Sequence, residues 1–90
     1  MSTAGRKRKP PQLVLYTTRG CAHCRQAKRF LRSRHLPFIE YDIGQSRRAW
    51  NQFQRHGGRG VPLILVAGRP LQGFEPGRLT RLLKQAGTDA

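Results

Sequence analysis

Acidic side chains are nearly missing from this chain. Four Asp and Glu stand against 18 Lys and Arg, a formal charge of +14 in 90 residues. A surface so short of carboxylates attracts polyanions: nucleic acid, an acidic protein face or an anionic lipid surface. Cysteine is scarce too, and two residues are too few for a disulfide framework. No apolar run approaches the ~20 residues of a membrane-spanning helix. The opening MSTAGRKRKPPQ has basic residues with no apolar run behind them, so no secretion signal is read there. These absences lead us to expect a monomeric protein in a reducing, cytoplasmic location, with no membrane partner. There a close cysteine pair is reactive or metal-bound rather than structural.

What is present fits one small domain with a single modest core. Residues 1–12 read as a disordered basic arm, with Arg6, Lys7, Arg8 and Lys9 ahead of Pro10 and Pro11. The folded domain is expected over 13–90 and keeps +10 of the charge. LVLYT at 13–17 suits a buried strand. A helical pattern runs from Ala22 to about Arg34, with Ala27, Phe30 and Leu31 on one face. PFIEYDI at 37–43 alternates like a second strand. Ser46 caps a helix over about 47–56, and Gly57 and Gly58 end it. VPLILVAG at 61–68 is a third strand, and Gly68 turns it into a short fourth at 69–72. Pro76 opens a last helix striped by Leu79, Leu82 and Leu83, which Gly87 ends. The order β-α-β-α-β-β-α predicts an α/β fold: a four-stranded mixed sheet flanked by three helices, its first two strands parallel and its last two antiparallel.

Both cysteines lie in RGCAHCRQAK, at 21 and 24. Three readings compete: a redox pair, part of a metal site, or two small buried residues. Cys21 stands at the start of the first helix, facing unpaired N–H groups and the positive end of the helix dipole. Arg19, Arg25 and protonated His23 add positive charge, which favours the thiolate, the form that attacks disulfides. Cys24 lies one turn on and can resolve a mixed disulfide formed at Cys21. A tetrahedral zinc site wants four ligands. Two cysteines and three histidines, with His35 and His56 ending separate helices, do not assemble one, although a cluster shared between two chains stays open. C-x-x-C in a βαβ setting favours the redox reading.

The chain resembles the glutaredoxin branch of the thioredoxin-like superfamily. The resemblance rests on LYTTRGCAHCRQAKRFL, FIEYDI and GGRGVPLILVAGRPLQGF, and spans residues 13 to about 86. It implies a thioredoxin-like fold, no resident cofactor or metal, and catalysis by Cys21 and Cys24. It also implies a cis bond before Pro62, with the backbone of Val61 free to pair with a bound thiol substrate as an added strand would. Gly73 and Phe74 belong to the turn before the last helix, and Phe74 is either part of a substrate groove or a core anchor. Ala22 and His23 replace the family's Pro-Tyr, and His23 brings a group that titrates near neutrality. The family lysine that meets the glutathione carboxylate is replaced by Thr18, with Arg19 next to it as a substitute. Arg59 either holds a substrate carboxylate or is one more solvated charge.

The family's Cys-Asp-Asp stretch holds the γ-glutamyl end of glutathione. Here Phe74, Glu75 and Pro76 stand there, so one acid remains and Pro76 offers no N–H. GFEP instead resembles the glutaredoxin-like hydrogen donors of ribonucleotide reductase, which thioredoxin reductase reduces. Two functions follow. One is a dithiol oxidoreductase acting on protein disulfides or glutathione mixed disulfides, with glutathione or thioredoxin reductase as electron source. The other is a basic binding module that grips an acidic protein or nucleic acid. Trp50 and Phe53 are read as packing on the second helix rather than a platform for bases.

Overall fold

The computed structural model describes residues 12–87. The expected arm lies outside those residues except for Gln12, whose carbonyl accepts the Ala67 N–H at 3.0 Å. The elements are β1 (Leu13–Thr17), α1 (Ala22–Ser33), β2 (Ile39–Asp42), α2 (Arg47–Arg55), β3 (Leu63–Val66), β4 (Arg69–Gln72) and α3 (Pro76–Gln85). The strand order is β2-β1-β3-β4. β1 runs parallel to β2 and antiparallel to β3, and β3 pairs antiparallel with β4.

The pleat of β1 sends alternate residues to two cores. Leu13 and Leu15, with Ile64, Val66 and Leu71, meet Ala27 and Leu31 of α1 and Leu79 and Leu83 of α3. Val14 and Tyr16, with Leu63 and Leu65, meet Phe53 of α2. Two helices therefore cover one face of the sheet and one covers the other. Each fully buried leucine contributes about 1.5–3 kcal/mol, so Leu79 and Leu83, with Leu82 partly buried beside them, are enough to dock α3.

Two strands are shorter than expected. β3 begins at Leu63 because Val61 and Pro62 form a separate turn with a cis peptide bond between them. It ends at Val66 because Ala67 and Gly68 both take positive φ and form the hairpin turn. β2 is an edge strand. Phe38 and Ile43 at its flanks pack on the two cores, while Ile39 and Tyr41 lie 41% and 38% exposed. On α2, Phe53 is buried and Trp50 is not: it stacks on Phe53 at 5.6 Å and stays 42% exposed.

Candidate functional site

The end of β1 and the start of α1 place the two thiols. Thr18 and Arg19 lead to Gly20, which turns the chain with φ +72°. Cys21 is then the N-cap of α1 in an extended conformation, and its Sγ accepts the Cys24 N–H at 3.2 Å. A cap position of this kind is usually filled by a side-chain oxygen. Here a sulfur fills it, and a negative sulfur is the better acceptor at the positive end of a helix. Cys21 is half-exposed, and Cys24 is buried at 2%.

The environments of the two thiols differ. Burial and the hydrogen bond to Cys21 push the Cys24 thiol up to about 12, against smaller opposing pulls from the Thr18 backbone and the Lys28 charge. Cys24 therefore stays protonated across the physiological range. Only Cys21 is both accessible and backed by a helix N–H.

Cys21 Sγ lies 4.0 Å from the carbonyl oxygen of Val61. Pro62 is buried behind it, and the Pro62 carbonyl accepts the Gly73 N–H at 2.8 Å. Gly73, with φ +82°, thus ties the start of the last helical segment to the Val61–Pro62 turn. Cys21, Cys24, Val61, Pro62 and Gly73 form one connected group.

The other expected binding residues stand around this group in different ways. Arg19 and His23 are exposed on the loop and the first turn beside Cys21. The Arg59 side chain is exposed, while its backbone N–H is held by Gln72 Oε1 at 3.0 Å. Phe74 packs edge-on against Phe30 at 5.6 Å, in the manner of a core anchor. Glu75 is the N-cap of α3, makes no side-chain cap bond, and faces Arg78 at 3.6 Å.

Two structural contributors were missed in the sequence. Gln72 clamps the loop before Val61, receiving the Arg59 N–H and donating Nε2 to the Gly60 carbonyl at 2.6 Å. Beneath α1, buried Thr17 donates to Glu40 Oε2 at 2.8 Å, and Lys28 meets the same oxygen at 3.0 Å. Lys28 is one turn beyond Cys24, so this pair fixes α1 to the sheet close to the thiols. Among the described residues, no group of three or more His, Cys, Asp or Glu side chains could hold a metal ion, and no helix is long and apolar enough to cross a membrane.

A family model described as glutaredoxin matches residues 13–71. No curated protein matches the chain in sequence. Several solved structures share the fold. A thioredoxin-like protein superposes with a TM-score of 0.77 at 25% identity, over 80% of this chain and 100% of that one. The glutaredoxin-like NrdH-redoxin from Escherichia coli, a protein with a thioredoxin-like activity profile, gives 0.71 at 24% identity over 79% and 93%. Buckwheat glutaredoxin in complex with glutathione gives 0.66 at 20% identity over 89% and 83%.

Proposed function

The chain belongs to the glutaredoxin family, and on that premise we propose that it reduces protein disulfides with Cys21 as the attacking thiolate and Cys24 as the resolving thiol. The family makes it a dithiol–disulfide oxidoreductase. The observation that supports the division of labour is the contrast between the two sulfurs: one half-exposed and capped by an N–H, the other buried and held as a thiol.

The steps balance as follows. Cys21 S⁻ attacks one sulfur of the substrate disulfide, forming a mixed disulfide and expelling the other sulfur as a thiolate. Cys24 then gives up its proton to solvent and attacks Cys21 Sγ. The Cys21–Cys24 disulfide forms and the second substrate thiolate leaves. The substrate has gained two electrons and, once its thiolates are protonated, two protons. An external reductant returns the pair to the dithiol.

The Val61 backbone beside Cys21 supports docking of an extended substrate segment across it, main chain to main chain. Arg19 and His23 flank the entrance and suit an acidic segment. Arg59, Gly73, Phe74 and Glu75 complete the rim, Phe74 through its packing on Phe30 and Glu75 through its pair with Arg78.

For the electron source we favour thioredoxin reductase over glutathione. Pro76 at the first position of α3 removes one N–H from the place where a γ-glutamyl carboxylate would be held. Glu75, the one acid there, already faces Arg78. Such chemistry belongs in a reducing compartment, and the cytoplasm fits it.

Trapping tests the assignment of the two roles. Cys24→Ser incubated with an oxidised protein substrate should accumulate a mixed disulfide at Cys21, visible by non-reducing electrophoresis and mass spectrometry. Cys21→Ser should accumulate none. The reverse pattern would exchange the roles.

A further inference from the structure

α2 and the β2 edge carry a second surface, which the dithiol does not use. Among the described residues, Ile39 and Tyr41 on the β2 edge and Trp50 on α2 are the exposed large apolar side chains. The outward side of α2 adds Arg47, Arg48 and Arg55, and none of the three has an acidic partner among the described residues. A depression of about 530 Å³ runs beside Trp50 and Arg47, and another of about 500 Å³ lies among the three arginines.

Among the described residues, no carboxylate pairs with the arginines of this face. Glu40 and Asp42 alternate with Ile39 and Tyr41 along β2 and so point to the other side of the sheet. There Glu40 meets Lys28, while Asp42 Oδ1 is taken up by the Gly44 N–H at 2.8 Å, at the margin of the first depression. Glu75 belongs to α3. The aromatic side is just as ordered. Trp50 lies on Phe53, and Tyr41 stacks on Tyr16 at 5.7 Å. Each ring is backed by a buried aromatic, which leaves its other face to solvent.

We infer that the α2–β2 face binds single-stranded nucleic acid, with bases stacked on Trp50 and Tyr41 and phosphates paired to Arg47, Arg48 and Arg55. Exposed rings interleaved with guanidiniums are what a single strand needs. Every base offers a π-face, and the charges follow the backbone without reading sequence. A protein partner would instead want a continuous dry apolar patch with charge at its rim. Here Arg47 lines the depression beside Trp50 and Arg55 lines the one beside Tyr41, so each ring has a guanidinium next to it, as suits a chain-like polyanion. From Arg47 to Arg55 the helix rises about 12 Å, which sets a contact of a few nucleotides. The site lies on the face of the sheet opposite α1, so binding is independent of the thiols.

Trp50 is the sole tryptophan, so its own fluorescence reports occupancy. The full chain is titrated with an oligothymidylate of about 15 nucleotides, within the usual site sizes, and in parallel with polyglutamate, at salt from about 50 to 200 mM. The oligonucleotide should quench Trp50 and polyglutamate should not. Trp50→Ala should weaken binding, read by anisotropy of a labelled strand, roughly tenfold, with Trp50→Phe restoring most of it. Arg47→Gln/Arg48→Gln/Arg55→Gln, all exposed and safe for folding, should lower the slope of log K against log salt by about 2. Disulfide reductase activity of these variants should be unchanged, and Cys21→Ser should bind as the parent does. The basic residues at 6–9 are present throughout and cancel from each comparison. No quenching, or an affinity and slope that ignore all the variants, overturns the inference. Equal quenching by polyglutamate overturns it too, in favour of an acidic protein.

Discussion

The backbone N–H of Cys24 points at the sulfur of Cys21 from 3.2 Å. One residue thus serves the other twice. Its main chain supports the attacking sulfur at the helix start, and its own buried sulfur waits one turn behind. Burial of Cys24 first, and its side-chain hydrogen bond to Cys21 second, make the pair asymmetric although both residues are cysteines.

Alkylation should show that asymmetry. At pH 8 and substoichiometric iodoacetamide, the reduced chain should carry one adduct, on Cys21, because burial and the bond to Cys21 keep Cys24 a thiol up to about 12. Peptide mapping checks it. Comparable labelling of Cys24 would mean that the buried environment opens in solution.

The Glu40 contacts give stability a pH signature. Burial works to raise the Glu40 carboxyl, but hydrogen bonds from Lys28 and Thr17 and the charges of Lys28 and Arg32 outweigh it and hold it below its ordinary 4.5. A carboxyl depressed in the folded state contributes stability that is present above its unfolded value and lost as pH falls through the folded one. Glu40→Gln should therefore lower the urea midpoint at pH 7. The gap to the parent should close as the pH drops below 4.5. A gap that persists in acid would assign the effect to packing.

Gly58 follows α2, where the Gly58 N–H bonds the Phe53 carbonyl at 2.9 Å. A Cβ added there would run into the Phe53 ring. Phe53 is buried against Tyr16 and cannot retreat. Gly58→Ala should cost about 1–3 kcal/mol, the range for overpacking, and calorimetry would show the fall in Tm. An unchanged Tm would mean the ring has room that the packing does not suggest.

Ala67 offers the opposite case. Its φ of +51° is one that an alanine adopts reluctantly, at the first central position of the β3–β4 turn. Ala67→Asn creates the Asn-Gly pair such turns prefer and should stabilise by about 1 kcal/mol. For a domain of this size that raises Tm by roughly 4–8 °C. A lower Tm would show that the turn relaxes to another form.

Much of this was legible from the residues. LVLYT announced a buried strand, Ser46 capped α2 with its Oγ accepting the Ala49 N–H at 3.1 Å, and the place of Cys21 at a helix start followed from the strand before it. What stayed hidden depends on partners far apart in sequence. The Gln72 amide reaches back to Arg59 and Gly60 across the hairpin, and nothing local distinguishes it from any exposed glutamine. Alternation put Glu40 opposite Tyr41 but did not name Thr17 and Lys28. Spacing made Trp50 and Phe53 neighbours, yet which of them faced the core was set by the rotation of α2 on the sheet. Both were expected as core or semi-exposed packing, and the structure assigns the core to Phe53 and the exposure to Trp50. Ala67 gave no sign of positive φ, since only Gly68 advertises a turn.

The most direct test of the account is a coupled reduction assay with the full chain, a small mixed disulfide and NADPH, beside a Cys21→Ser control. One cuvette receives thioredoxin reductase and the other receives glutathione with glutathione reductase. Turnover with thioredoxin reductase that disappears in Cys21→Ser is the expected result, with little in the glutathione cuvette. Turnover driven by glutathione alone would contradict the assigned reductant. No turnover in either, or turnover that survives loss of Cys21, would contradict the central claim that this sulfur performs the chemistry.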